Sequence, residues 1–339
     1  MALDPVPWFV GAGARHSAAS ARNLAWNATG GKTGIATPTS LEVRATSTAS
    51  NNVQIMPGGA VVESTYQGAL QQSYTIRNAS ATNVAIPANT GSSAKTYYVT
   101  AEINDPTYAG SNPPSVEEGP YNFFRARTSR QSVHPEVLLA KVKVRPNSPI
   151  LRSDITDMRE LANPKRETIV FARPRITADN SNQNYLNGRE ANGGEYFPGG
   201  GGYSNEAKAV IPEWAVSMII EADWMAVGYK GGESVLGRFW IAYGDEYRNH
   251  TWPNNLQWEY RTQEFRFNAP TAGNDIRTNW RLMDTRTVPS KLRGKETTFA
   301  FIGAITAGSP RNAVYMDSLS GLGLKITFLE EKASREEFN

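Results

Sequence analysis

The sequence contains no cysteine, which excludes disulfides, thiolate metal sites and cysteine nucleophiles together. Histidine is scarce: His16, His134 and His250 are the whole set. They show none of the H-x-x-H or H-x-x-x-H spacing that places two ligands on one metal. No D-x-D-x-D-G calcium loop occurs, and no G-x-S-x-G elbow marks a serine nucleophile. No metal and no cofactor are therefore expected. Apolar runs of ~18 residues are missing, so no helix is expected to insert into a membrane. The opening MALDPVPWFVGAG lacks a basic n-region and carries Asp4 and two prolines, unlike a signal peptide. No repeat of 20–50 residues is visible, which excludes solenoids and propellers. An excess of either charge is lacking too: 35 Lys/Arg stand against 32 Asp/Glu, too close a balance to imply a nucleic-acid partner.

What is present is a chain of 339 residues, long enough for roughly two domains with cores of their own. Its clearest helix is expected over residues 14–28. Ala21, Leu24, Ala25 and Ala28 form one apolar stripe at i, i+3, i+4, i+7, Ser17 or Ser20 offers a cap, and Gly30-Gly31 ends it. A helix this short must dock on something. Two near-motifs fail beside it. Gly30-Gly31-Lys32-Thr33 lacks the earlier glycine of a phosphate loop, because Trp26 stands there. Gly11-Ala12-Gly13 lacks the third glycine of a dinucleotide fingerprint, because His16 stands there.

From Leu41 to Arg145 the pattern is strands. Val53 and Ile55 alternate before the turn signal Pro57-Gly58-Gly59, Tyr74 and Ile76 alternate next, and Tyr97, Val99, Ala101 and Ile103 follow. Residues 105–120 read as a proline-rich surface loop. In VLLAKVKVRPNSPILRSDITDMRE, Leu138, Ala140, Val142 and Val144 are expected inward, with Leu139, Lys141, Lys143 and Arg145 outward. Between Tyr121 and Arg175 there are 12 Lys/Arg and 5 Asp/Glu, read as solvated strand faces. After the strand, Asp154 and Asp157 are expected to bond turn amides, with Arg159 pairing one of them to pin the domain exit. That divides the chain into residues 1–163 and 164–339.

The second half is again β. A strand is expected at Thr168–Ala172. The glycine-rich stretch 187–205 reads as a connector or exposed loop without regular structure. One face then carries Trp214, Val216, Met218, Ile220, Ala222 and Trp224. Phe239, Ile241 and Tyr243 alternate next, and a change of parity between Trp258, Tyr260, Thr262 and Phe265, Phe267 suggests a bulge. Phe299, Phe301, Ile305 and Leu322, Leu324, Ile326, Phe328 complete a set that suits two sheets face to face. The charged tail EEKASREEFN is expected to fray. The expected fold is mainly β: an N-terminal helix plus β domain, then a C-terminal β-sandwich of jelly-roll type.

Candidate chemistry is sparse. Glu221 and Asp223 share a strand face about 7 Å apart by the strand rise, but it is the outward face, where acids are the default. Asp245 and Glu246 are adjacent and face opposite ways. No enzyme is expected. The more informative residues are loop aromatics: Tyr196, Phe197 and Tyr203 in the glycine-rich stretch, and Tyr247, Trp252 and Trp258 around the Pro253-Asn254-Asn255 turn. Such rings suit sugar faces or a protein partner; the alternative is packing over the sandwich ends.

The segments WFVGAGARHSAASARNLAWNATGGKTGIATPTSLEVRA, NNVQIMPGGAVVESTYQGALQQSYTIRN, TYYVTAEINDP and VLLAKVKVRPNSPI with ITDMRE come in an order and spacing that resemble minor tail proteins of long-tailed actinobacterial bacteriophages. IPEWAV, VPSKLRGKETTFAF and DSLSGLGLKITFLEE continue the resemblance in the second half. It implies a virion structural protein of the tail tip, assembled in the host cytoplasm. Residues 1–163 would attach to other tail proteins, and the C-terminal β domain would meet a host cell-surface glycan or protein. A homotrimer is implied by the resemblance alone. Unlike some members, this chain has no Gly-X-Y repeat; its glycines at 199–202 are consecutive. A cell-wall polysaccharide hydrolase and a carbohydrate-binding module unrelated to phage remain the rival readings.

Overall fold

The computed structural model describes residues 18–105, 107–108, 122–130, 133–173, 184–189, 193–199, 206–244, 260–269, 273–306 and 312–331. The chain divides between Pro164 and Lys165 into two compact units, each with its own apolar core. Among the described residues, both take most of their regular structure as strands.

The first unit contains helix α1 (Ala18–Thr29) and strands β1 (Gly34–Ile35), β2 (Val43–Ala45), β3 (Asn52–Ile55), β4 (Gly58–Glu63), β5 (Ser73–Asn78), β6 (Thr82–Ala85), β7 (Lys95–Ile103), β8 (Asn122–Arg127), β9 (Glu136–Val144) and β10 (Ile155–Asp157). They form three antiparallel sheets ordered β1-β4-β5, β2-β3-β6 and β10-β9-β7-β8. The Pro57-Gly58-Gly59 turn opens β4. Gly58 is required there: its φ is +150°, and a Cβ would sit 2.4 Å from the Ser40 backbone.

Two expectations change here. β9 does not keep one parity. Val137 and Leu139 are buried, then Ala140, Val142 and Val144, while Leu138 is only half-buried. The cause is a bulge: Val99 pairs Ala140 but its neighbour Thr100 pairs Leu138, leaving Leu139 as the extra residue. The helix also docks differently. None of its residues is buried, and Leu24 is 44% exposed. It is fastened by polar groups instead: Arg22 Nε donates to Gln72 Oε1 at 2.7 Å, Asn23 Nδ2 to the Gln71 carbonyl at 3.0 Å, and Trp26 Nε1 to Glu63 Oε1 at 3.2 Å. The alanine stripe offers little apolar area, so the contact shifts to the side shared by Ala21 and Ala25 with Arg22 and Trp26, and Leu24 and Ala28 stay exposed. Gly30 and Gly31, at φ +60° and +76°, end the helix.

The second unit contains β11 (Arg166–Arg173), β12 (Asn184–Leu186), β13 (Glu195–Tyr196), β14 (Glu206–Val210), β15 (Ser217–Tyr229), β16 (Val235–Tyr243), β17 (Phe265–Ala269), β18 (Ile276–Thr287), β19 (Glu296–Ile305), β20 (Val314–Met316) and β21 (Gly321–Leu329). One sheet runs β11-β21-β15-β18, with β12 and β20 extending it beyond β21; the other runs β14-β19-β16-β17, with β13 beside β14 on the same edge of β19. Counting each interrupted strand once, there are eight positions. In chain order they lie as 1-8-3-6 in one sheet and 2-7-4-5 in the other. That interleaving is a jelly roll, in which consecutive strands, apart from the paired fourth and fifth, sit in opposite sheets and share the core between them.

β15 supplies the centre of that core. Met218, Ile220, Ala222 and Trp224 are buried, as the alternation predicts. A bulge between Trp224 and Val227, with Ala226 at φ +56°, then turns Val227 and Tyr229 inward. A second bulge precedes β17. Phe239 pairs Phe265 and Ala242 bridges Arg261, so four residue steps on one strand face three on the other. β16 is buried on both sides: beyond Phe239, Ile241 and Tyr243, a separate cluster joins Trp240, Ala242, Ala300, Ile302 and Ala304 on the outer face.

Candidate functional site

Of the six aromatic residues expected to meet a ligand, Tyr203, Tyr247, Trp252 and Trp258 lie outside the described residues. Phe197 does not present a ring. It is fully buried, tilted against Trp280 at 5.4 Å between ring centroids. Tyr196 is half-buried and packs on the outer-face cluster around Trp240.

The described part of the glycine-rich stretch also has regular structure, contrary to expectation. Glu195 Oε1 accepts the Asn187 and Gly188 amides. Arg189 bridges Ile305, β13 pairs β19, and the Phe197 amide donates to the Phe301 carbonyl at 2.9 Å. Gly194, at φ +74°, lies so close to the sheet that a Cβ would be 2.6 Å from the Gly303 carbonyl and 2.8 Å from the Trp240 ring. Its glycine serves close approach rather than freedom. The partner strand stands more than a hundred residues away in sequence, which is why composition alone pointed to a loop.

β13, ending at Tyr196, and β14, starting at Glu206, thus pair with the same edge of β19. Beside Glu206, the sandwich edge opens into a cleft of about 300 Å³ between the sheets, lined by Phe171, Ala207, Phe301 and Leu324 with Glu206 and Lys208. An apolar slot carrying one acid and one amine suits an amphipathic ligand. This edge is the candidate site that the described residues support.

The exit of the first unit is held by its two aspartates. Asp154 Oδ2 accepts the Leu151 amide and an Arg145 guanidinium N–H, both at 2.9 Å. Asp157 accepts the Arg159 amide at 3.0 Å and takes its guanidinium as a fork at 2.9 and 2.8 Å. The remaining arm of Arg159 donates to the Ser40 carbonyl at 2.6 Å.

The carboxylates tested for catalysis face outward with cross-strand cations. Glu221 pairs Lys325 and Asp223 pairs Arg281, each at 2.6 Å. Asp245 and Glu246 lie outside the described residues. Of the histidines, His134 is described, and its Nδ1 is 2.9 Å from the Tyr66 hydroxyl. Among the described residues no group of three acids or histidines is placed to hold a metal.

Sequence reasoning missed two polar networks. In the first unit, Tyr66 stacks on Tyr108 at 5.6 Å, Tyr74 donates to Asp105 at 2.9 Å, and Arg22 reaches over both Tyr74 and Tyr108. Burial, then the bond to Asp105, pushes the Tyr74 hydroxyl well above its ordinary range. In the second unit, Arg277 forks onto Asp317 at 3.1 and 2.6 Å, and Asp275 accepts the Gly231 amide and the Tyr315 hydroxyl. No spacing signal marks either network, because each gathers residues from three or more separate segments.

The Arg277–Asp317 pair has a pH signature. Burial pushes the Asp317 carboxyl up, but the Arg277 fork, the Leu319 amide and the Arg277 charge together hold it below the usual aspartate range. A depressed folded pKa gives stability that is present above the unfolded value and lost as pH falls through the folded one. Asp317→Asn is expected to lose about 2 kcal/mol at neutral pH. The difference from wild type should shrink as pH falls below about 4. Urea titrations of both proteins across that range check it; a gap independent of pH would refute the ionic contribution.

No family model matches the chain, and no curated protein matches its sequence. Among solved structures it is similar to that of the infectious bursal disease virus Gx strain, at 12% identity over 85% of this chain and 60% of that one, with a TM-score of 0.24. The T13 particle of the same virus gives 11% identity, 88% and 69% coverage and a TM-score of 0.22. Its VP2 subviral particle gives 10%, 90% and 70%, and 0.21. The chain therefore spans about 60% of the length of the first of these. Superpositions this loose do not establish a common fold, and the jelly roll rests on this chain's own strand pairing.

Proposed function

We propose that this chain is a structural minor tail protein of a bacteriophage tail tip. Its first unit attaches to other virion proteins, and its second contributes to host-cell attachment. The observation that carries this reading is the jelly-roll order of the second unit, an architecture used in capsid and lectin domains, in a chain whose sequence resembles tail proteins. The outward, ion-paired carboxylates favour binding over hydrolysis, so the proposed role is non-enzymatic. The protein would be found in the virion after assembly in the host cytoplasm. Immunogold labelling of purified particles tests that location; absence from the tail tip would sink it.

Host contact is assigned to the β13–β14 edge with Tyr203 and to the stretch between β16 and β17 with Tyr247, Trp252 and Trp258. One aromatic stacking contact is worth about 1 kcal/mol, so Trp252→Ala or Tyr203→Ala should weaken each site about fivefold, and multivalency would enlarge the deficit. Adsorption of particles carrying either substitution is the measurement. Normal adsorption by both would leave recognition to another tail protein. Phe197→Ala should lower stability instead, since that ring is in the core. The proposal includes a homotrimer; light scattering showing a monomer at micromolar concentration would count against self-assembly.

A further inference from the structure

The outer face of the sheet β10-β9-β7-β8 concentrates cations of one sign. Arg125 and Arg127 stand on β8, and Lys141 and Lys143 on β9, with Tyr98 between Arg127 and Lys141 in one cross-strand row. Beneath the arginines lie buried carboxylates. Glu102 and Glu136 are directly opposed across β7 and β9, with side chains only 3% and 4% exposed. Two opposed acids repel each other. Here Glu102 is met by Arg127 and Arg125, and Glu136 by Arg130. Arg127 and Arg130 each donate one hydrogen bond to the acid below, and Arg125 lies within ion-pair range at 3.9 Å, while 33–53% of each side chain stays in solvent. Lys143 is exposed and Lys141 half-exposed, and neither has an ion pair among the described residues.

We infer that this face docks an acidic surface of a neighbouring virion protein. The inference rests on the virion role proposed above and adds the surface and its partner's chemistry. Three arginines and two lysines stand over two buried acids, so the face attracts anions, and guanidiniums that keep unused N–H groups in solvent are suited to carboxylates. The strands of this sheet hold nine, nine, six and three residues, which at ~4.8 Å spacing and ~3.4 Å rise give a flat face of about 440 Å². That is roughly half of the ~800 Å² a side of a standard protein interface, enough for the central part of such a contact. A single-stranded nucleic acid would need a groove with several free stacking rings. The face is an open sheet, and Phe123 is already covered by the Arg125 guanidinium at 4.4 Å.

The test uses particles assembled with the full-length chain carrying Lys141→Glu and Lys143→Glu. Both lysines lie on the solvent side, so thermal melting should not change; if it does, Lys141→Gln with Lys143→Gln carries the same test. Incorporation is expected to fall about tenfold or more, while a control with Arg166→Glu and Lys295→Glu, both exposed on the second unit, enters normally. Wild-type protein should also be stripped by about 1 M salt, where charges are screened within a few ångströms. Normal incorporation of the reversed chain overturns the docking face and leaves the virion role standing. Absence of the wild-type chain from particles overturns both. Lysine-dependent binding of inorganic polyphosphate by the purified protein overturns the choice of an acidic protein as partner.

Discussion

Trp224→Ala is expected to destabilise the second unit by about 4 kcal/mol, the scale of removing a large ring from a packed core. The ring sits where the two sheets meet. Its centroid is 4.8 Å from that of Phe301, 5.2 Å from Phe239 and 6.4 Å from Trp280. Its Nε1 donates to the Phe197 carbonyl at 2.9 Å, tying the edge segment to the core. Alanine would leave a void lined by three rings and orphan that carbonyl. Calorimetry should show the second unit's transition falling by about 10 °C, given the size of the unit. Trp224→Phe keeps most of the packing and loses the hydrogen bond, for about 1 kcal/mol. Equal losses for the two variants would mean that the indole bond, not ring packing, dominates. A loss below 1 kcal/mol for alanine would refute the central role given to Trp224.

Arg159→Ala should destabilise the first unit by about 3 kcal/mol, near the lower end for breaking a buried ion pair from one side. The arginine side chain is 5% exposed and Asp157 26%, so solvent relieves part of the charge left behind. The same segment closes the unit. The Ile35 amide donates to the Glu160 carbonyl at 2.7 Å, and the Ala162 amide to the Ile35 carbonyl at 3.0 Å. Gly34 fits against it so tightly that a Cβ would lie 2.5 Å from the Glu160 carbonyl. Losing the clamp should free residues 160–164 and speed their proteolysis. Arg159→Lys should recover little, since an ammonium cannot hold Asp157 as a fork and reach Ser40 together. Unchanged melting and unchanged cleavage for Arg159→Ala would show that the exit is held by backbone pairing alone.

Much of the β character was legible before any coordinates. The even-numbered apolar residues from Met218 to Trp224 and from Leu322 to Phe328 place themselves by period two. The Pro57-Gly58-Gly59 turn and the Gly30-Gly31 helix end follow from backbone sterics. The parity change before Phe265 announced its bulge. These are local properties: the residues that carry the signal also make the structure.

Other features depended on what lay across a gap in the chain. Leu139 is inward because the β7–β9 register slips by one residue. Trp240 is buried on the outer face of its sheet because the segment holding Gly194 lies against it. Phe197 enters the core because β19 gives its segment a partner, although its glycine-rich surroundings read as loop. Helix α1 turned Arg22 and Trp26 to the sheet beside Ala21 and Ala25, leaving Leu24 and Ala28 exposed, because Gln72, Tyr108 and Glu63 lay there with hydrogen-bonding groups. The candidate site divides the same way. Aromatic type near turn residues could be read from sequence, while the inter-sheet cleft needed β11 and β14 to be brought together as edges of opposite sheets. Composition and periodicity determine which residues can be strands and which faces are apolar; only long-range register decides what covers each face, because a strand's backbone bonds and its second face are completed by residues distant in sequence.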